Sequence, residues 1–179
     1  MNDFKEEKLS SKLVYEGKIL NLRVDNVRLP NGKEGQREVV EYTGAVAIVA
    51  LTTDQEVLLV RQYRYPVQRE LMELPAGKLE PNEKPLECAK RELMEETGVV
   101  AGKWNELYSF YSTPGFSNEK MYLFMAKDLT FKEQHLDVDE FVEMKKVSLQ
   151  GALGMIKEGQ INDAKTIVGI LAAKDELKM

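Results

Sequence analysis

"GKLEPNEKPLECAKRELMEETGV", Gly77 to Val99, crowds Glu92, Glu95 and Glu96 into one turn of what should be a helix. Pro85 suits the first helical position, where its missing N–H costs nothing, and Gly98 suits a left-handed cap at the far end. Leu86, Ala89, Leu93 and Val100 fall on one stripe at helical spacing, the face expected to pack on a sheet. The three acids fan over roughly a 100° arc beside that stripe. Glu92 and Glu96 form a like-charge i,i+4 pair, which costs about 0.2–0.5 kcal/mol in an isolated helix. Arg91 meets Glu95 only in the weaker i,i+4 orientation, so no cation is placed to neutralise the trio, and acids near a helix C-terminus oppose the macrodipole. A solvated acidic face is the ordinary fate of such a run. Three convergent carboxylates can instead form an oxygen-only cage of the kind Mg²⁺ or Mn²⁺ prefers.

The chain around this segment is 179 residues long, enough for one domain or one domain with a small extension. An apolar share of 43% supports a real core, and a net charge of −5 offers no basic field for nucleic acid or an anionic membrane. An anionic substrate would therefore need local arginines or a metal ion. The single cysteine, Cys88, excludes an internal disulfide. The polar start "MNDFKEEKLS" and the lack of any apolar run of spanning length point to a cytoplasmic setting.

Upstream the pattern is β. "SKLVYEGKILNLRVDNVRL" reads as a hairpin broken at Glu16-Gly17, and "QREVVEY" as a further strand after the turn "PNGKEG". "GAVAIVALT" is a continuous apolar run, a strand buried on both faces, and "EVLLVRQYRYP" beyond the turn "TDQ" is expected to pair with it. Downstream come strands in "KWNELYSFYS", "KMYLFMAKDL" and "FVEMKKVSL". Two helices close the chain, one capped by Ser148 and one by Asn162 or Asp163.

The spacing within the opening stretch is specific. Gly77, five residues, Glu83, seven residues, then Arg91-Glu92-Leu93-x-Glu95-Glu96-x-Gly98-Val99 matches the Nudix box at every defined position. By average residue usage that pattern would arise by chance about once in ten million chains of this length. The chain resembles a Nudix hydrolase. The resemblance implies an α/β/α sandwich with a mixed central sheet, here with a small N-terminal antiparallel β segment, giving residues 1–41 as a β extension and 42–179 as the Nudix domain. It also implies hydrolysis of a nucleoside diphosphate linked to another group. By the same resemblance Glu92, Glu95 and Glu96 hold Mg²⁺ (Mn²⁺ as the other option) with a backbone carbonyl near Ala76 or Gly77. Gly77, Glu83, Arg91 and Gly98 would brace the box, Glu83 and Arg91 without touching substrate.

Three flanks, "REVVEYTGAVAIV", "RQYR…ELPAG" and "TPGFSNE", resemble the ADP-ribose pyrophosphatase branch, and Pro114 stands sixteen residues beyond Gly98, where that branch carries a proline. The resemblance implies a substrate pocket containing Arg64, Glu73 and Pro114. Arg37 is a further candidate for a phosphate contact, through bidentate guanidinium geometry. Arg61 reads equally as the end of a strand, Tyr65 and Phe116 as adenine platforms or rim, and His135 as surface. In the acidic loop before the strand at Phe141, Glu140 is the best match for the loop acid that several relatives use in catalysis, whereas others use a box glutamate such as Glu95 or Glu96 as the base. Asp137 and Asp139 would only solvate that loop.

The resulting expectation is a metal-dependent enzyme that splits ADP-ribose, or a related nucleoside diphosphate sugar, into a nucleoside monophosphate and a sugar phosphate. Alternatives are an enzyme for oxidised nucleotides or dinucleoside polyphosphates, and, from another class, a non-catalytic nucleotide sensor on the same scaffold. Degenerate modules of the latter sort tend to lose box acids, and here all are present. The branch usually forms homodimers through its N-terminal strands, so a homodimer is expected, with no nucleic-acid or membrane partner.

Overall fold

The computed structural model describes residues 4–133 and 141–178. The chain divides into two compact units. One ends at Gly44 and includes Tyr111–Lys120; the other comprises Ala45–Phe110 and resumes at Met121. In the first unit, β1 (Glu7–Glu16), β2 (Asn21–Arg28) and β3 (Glu34–Glu41) form an antiparallel meander in that order. The break expected at Glu16-Gly17 is the turn between β1 and β2, closed by the Gly17 N–H donating to the Leu20 carbonyl at 3.1 Å. Asp25 is buried in β2, and its carboxylate accepts from Ser11 Oγ at 2.6 Å and Arg23 Nη1 at 2.7 Å. Those two bonds offset the cost of taking a charge out of water.

The second unit is built around β4 (Ala45–Ala50), whose residues are all buried. Its neighbours are β7 (Ala76–Lys78), antiparallel, and β9 (Lys120–Phe131), parallel, in a mixed sheet ordered β7-β4-β9-β8 with β8 at Val99–Tyr111. Alternate residues Val46, Ile48 and Ala50 share a core with Cys88, Ala89 and Leu93 of α1 (Pro85–Thr97). The other face meets α3 (Ala164–Glu176), where Gly169 lies so close to Val49, Leu74 and Leu123 that a methyl group there would collide with Leu74. Helices therefore cover both faces, which is why this strand reads as an unbroken apolar run rather than an alternating one. A further sheet orders β10 (Val142–Ser148), β5 (Glu56–Arg64) and β6 (Arg69–Glu73), all antiparallel, and α2 (Leu149–Lys157) follows β10 directly.

Two expectations are corrected. The β4–β5 pairing goes no further than one bridge, Leu51 to Val57. The turn itself forms, with Thr52 N bonding Glu56 O at 2.9 Å and Gln55 in the left-handed region. Beyond it the strands part, because Leu51 N donates to Ala126 of β9 and β5 takes β6 and β10 as partners. Val100 lies beyond the helix on β8 and is exposed, so the stripe of α1 ends at Leu93. The helix otherwise keeps its expected limits. Pro85 occupies its first turn, and Gly98 caps it at φ 67° with its N–H on the Met94 carbonyl. Ser148 and Asp163 cap α2 and α3 by accepting from Gly151 N and Thr166 N.

Candidate active site

The buried side of α1 carries acids as well as apolar groups: Glu92 and Glu96 are 8% and 2% exposed, beside Cys88, Ala89, Leu93 and Thr97. The charges are answered locally. Glu96 Oε2 accepts the Ala76 backbone N–H at 3.0 Å, tying the helix to β7. Arg91 reaches Glu92 Oε1 at 2.8 Å and Glu95 Oε2 at 2.9 Å through Nη1, while Nε and Nη2 each hold a Glu83 oxygen at 3.0 Å. A cation does neutralise part of the trio, contrary to the reading of the helix alone. The reason is tertiary. Glu83, from the loop before α1, fixes the guanidinium as a two-point fork, and the remaining nitrogen then points at both helix acids. Arg91 holds Glu83 down to about 2, so this brace stays ionised well into acid. Burial, reinforced by Glu83, pushes the Cys88 thiol up to about 12, which removes it as a nucleophile.

Among the described residues no group of three acidic, histidine or cysteine side chains is arranged to hold a metal ion. Arg91 stands between Glu92 and Glu95, and Glu96 turns one oxygen to the backbone. The donor set still fits a hard divalent cation: three carboxylates and no nitrogen or sulfur ligand. Gly77 adds a structural reason. A Cβ at that position would come within 1.8 Å of the Glu92 carboxyl carbon, so only glycine leaves room for that carboxylate.

A second polar cluster borders this segment. Arg64, at the end of β5, grips Glu73, at the end of β6, by Nε–Oε1 and Nη2–Oε2 bonds of 2.8 Å each. Burial alone would raise the Glu73 carboxyl, but Arg64 and Lys165 outweigh it and hold it below the usual range. Glu73 in turn raises Arg64, with Glu96 adding to its field. Lys165, on α3, bonds Glu73 Oε2 and also pairs with Asp163 at 3.0 Å. Thr166 Oγ1 accepts the Leu74 N–H at 2.8 Å, and Ile48 N bonds the Pro75 carbonyl at 2.9 Å. The segment from Glu73 to Gly77 is thus pinned residue by residue.

Lys165 escapes the sequence reading, in which Asp163 figured only as a helix cap. Its signal was a lysine in the first turn of a helix, where the macrodipole disfavours cations and a partner is required. Of the other candidates, Arg37 and Pro114 belong to the first unit, and the guanidinium of Arg37 is held by Glu6. Arg61 bridges Glu70 and Glu143 on the strand surface. Tyr65 and Phe116 are exposed. Glu140, with His135, Asp137 and Asp139, lies outside the described residues.

A family model, the NUDIX domain, matches residues 41–168. The chain belongs to this family. A second model, the nucleoside diphosphate sugar hydrolase N-terminal domain, matches residues 6–40. The chain is 41% identical over 172 residues to the ADP-ribose pyrophosphatase of Bacillus subtilis (strain 168), covering 95% of this chain and 93% of that one. It is 42% identical over 169 residues to the methanol dehydrogenase activator of Bacillus methanolicus, covering 93% and 91%. A solved structure, an ADP compounds hydrolase, superposes with a TM-score of 0.86 at 23% identity over 97% of this chain and 95% of that one, a likeness of fold. The protein is a Nudix hydrolase. No helix among the described residues is long and apolar enough to cross a membrane.

Proposed function

We propose that this Nudix hydrolase splits the pyrophosphate bond of ADP-ribose, or of a closely related nucleoside diphosphate sugar, into a nucleoside monophosphate and a sugar phosphate. Family membership makes the cofactor a divalent metal ion and the substrate a nucleotide or nucleotide sugar. The finer choice is supported above all by the pairing of Arg64 with Glu73 beside the box, two residues that the branch resemblance places in one pocket. The relative in Bacillus subtilis bears the same activity in its name.

Each residue then has a task. Glu92, Glu95 and Glu96, with the Ala76 carbonyl, would hold Mg²⁺ or Mn²⁺, and Gly77 keeps the space that Glu92 fills. When bound there, the ion would supply charge neutralisation for the diphosphate and would lower the pKa of the attacking water. Glu83 and Arg91 hold the loop on the helix and keep the acids gathered. Arg64 presents a guanidinium to the anionic substrate. Arg37 and Pro114 are assigned to substrate contact and Glu140 to the attacking water, on the branch resemblance. Incubation with nucleoside diphosphate derivatives and Mg²⁺ or Mn²⁺, followed by identification of products, tests the assignment. AMP and ribose phosphate from ADP-ribose are expected; preference for an oxidised nucleoside triphosphate or a dinucleoside polyphosphate would replace it.

The active species in this reading is a homodimer joined through the first unit. Every residue of β1 is exposed, Leu13, Val14 and Tyr15 among them, and Phe4 and Ile19 add exposed apolar surface to the same unit. Such a patch on one small sheet is more than single scattered apolar residues and calls for a cover. Sedimentation at micromolar concentration should give a dimer, and a monomer alone would remove this part of the proposal.

A further inference from the structure

We infer that Lys165 is a positioning residue for substrate binding, setting the Arg64 guanidinium by holding the Glu73 carboxylate from behind. The inference rests on the reading that Arg64 meets the substrate. The carboxylate of Glu73 is buried, at 1% exposure, and three nitrogens converge on it: Nε and Nη2 of Arg64 from one side and Nζ of Lys165 from α3. Arg64 itself is the open member, with 38% of its side chain exposed. Its Nε and Nη2 are spent on Glu73, and Nη1 has no hydrogen-bond partner among the described residues. In this reading the Glu73 carboxylate aims a guanidinium that can meet a ligand.

Lys165 does two things for that arrangement. It fixes the Oε2 atom of Glu73, so the carboxylate plane cannot turn and carry the Arg64 fork with it. It also takes up part of the Glu73 charge, leaving more of the Arg64 charge for an anion. Lys165 is held in turn by Asp163, the cap of α3, and Thr166 of the same turn fixes Leu74 next to Glu73. One helix terminus therefore sets both the backbone and the side chain of this position. A lysine placed there against the helix dipole has a reason in this pairing.

The test is steady-state kinetics on ADP-ribose with saturating Mg²⁺, with thermal unfolding recorded for each variant. Lys165→Met should raise KM roughly tenfold, the size of one lost charge-assisted hydrogen bond, with kcat within about twofold of the parent. Lys165→Arg should recover most of that loss. In an Arg64→Ala background, Lys165→Met should change KM by less than about twofold, because the group it positions is gone. Full additivity of the two substitutions, an unchanged KM in Lys165→Met, or failure of Lys165→Arg to rescue would each overturn the inference while leaving Arg64 in place. An Arg64→Ala variant with unchanged KM would instead overturn the reading beneath it. Should Lys165→Met not fold, Lys165→Gln, which keeps a donor without the charge, carries the same comparison.

Discussion

Glu92→Gln and Glu96→Gln should each lower kcat about a thousandfold with little loss of fold. Each removes the charge of a proposed metal ligand at nearly constant shape. A metal contributes several kcal/mol of transition-state stabilisation, and a loss of about 4 kcal/mol corresponds to that factor. Stability should respond differently. A glutamine at position 96 can still accept the Ala76 N–H through its amide oxygen, and Arg91 keeps Glu83 and Glu95 when Glu92 loses its charge. In metal-free buffer the midpoint of unfolding should stay within about 4 °C of the parent, the equivalent of roughly 1 kcal/mol for a chain of this size. Gly77→Ala should act in the same direction on rate, since its Cβ would evict the Glu92 carboxylate, the movable end of a side chain. A fall of tens of degrees in either glutamine variant, without metal, would make these acids part of the framework rather than ligands.

Glu140→Gln should lower kcat by roughly the 10²–10⁴ of a lost general base, with KM nearly unchanged, if this acid positions or deprotonates the attacking water. Asp137→Asn and Asp139→Asn should be much milder. A base within the box would reverse the pattern: near-normal turnover in Glu140→Gln, and a box variant that binds metal yet turns over slowly. Metal titration of each variant, run beside the kinetics, separates loss of ligand from loss of base. Near-normal turnover in Glu140→Gln would move the base to Glu95 or Glu96.

What was legible in the sequence follows the range of the interactions involved. The helix at Pro85, its Gly98 cap, and the Ser148 and Asp163 caps depend on neighbours within a few residues, and all stand in the structure. The turn at Thr52–Glu56 is local and also forms; the partner chosen by β4 is not, because a fully apolar strand matches any neighbour that can bury it. The same holds in the site. The box acids and Glu83 are visible as spacing, but Arg91 reads as a poor helix partner until the loop brings Glu83 to its other edge. Lys165 is invisible as a contact across 92 residues, though its place at a helix start is a local oddity that asks for an anion.

The placement of β4 has a consequence for how the protein is made. Ala45–Ala50 leaves the ribosome long before its covers: its parallel partner begins at Lys120 and the helix covering one face begins at Ala164. At typical synthesis rates of 5–20 residues per second, that strand waits about ten seconds for its last cover. An uncharged run of valine, isoleucine and alanine without proline is, over that interval, a sticky segment in search of another edge. The final helix supplies both the lid for this strand and the lysine behind Glu73, so completion of the core and completion of the arginine pair coincide. A nascent chain that still lacks α3 is thus both vulnerable to aggregation and short of one member of the Arg64–Glu73–Lys165 cluster, and the two deficits end together.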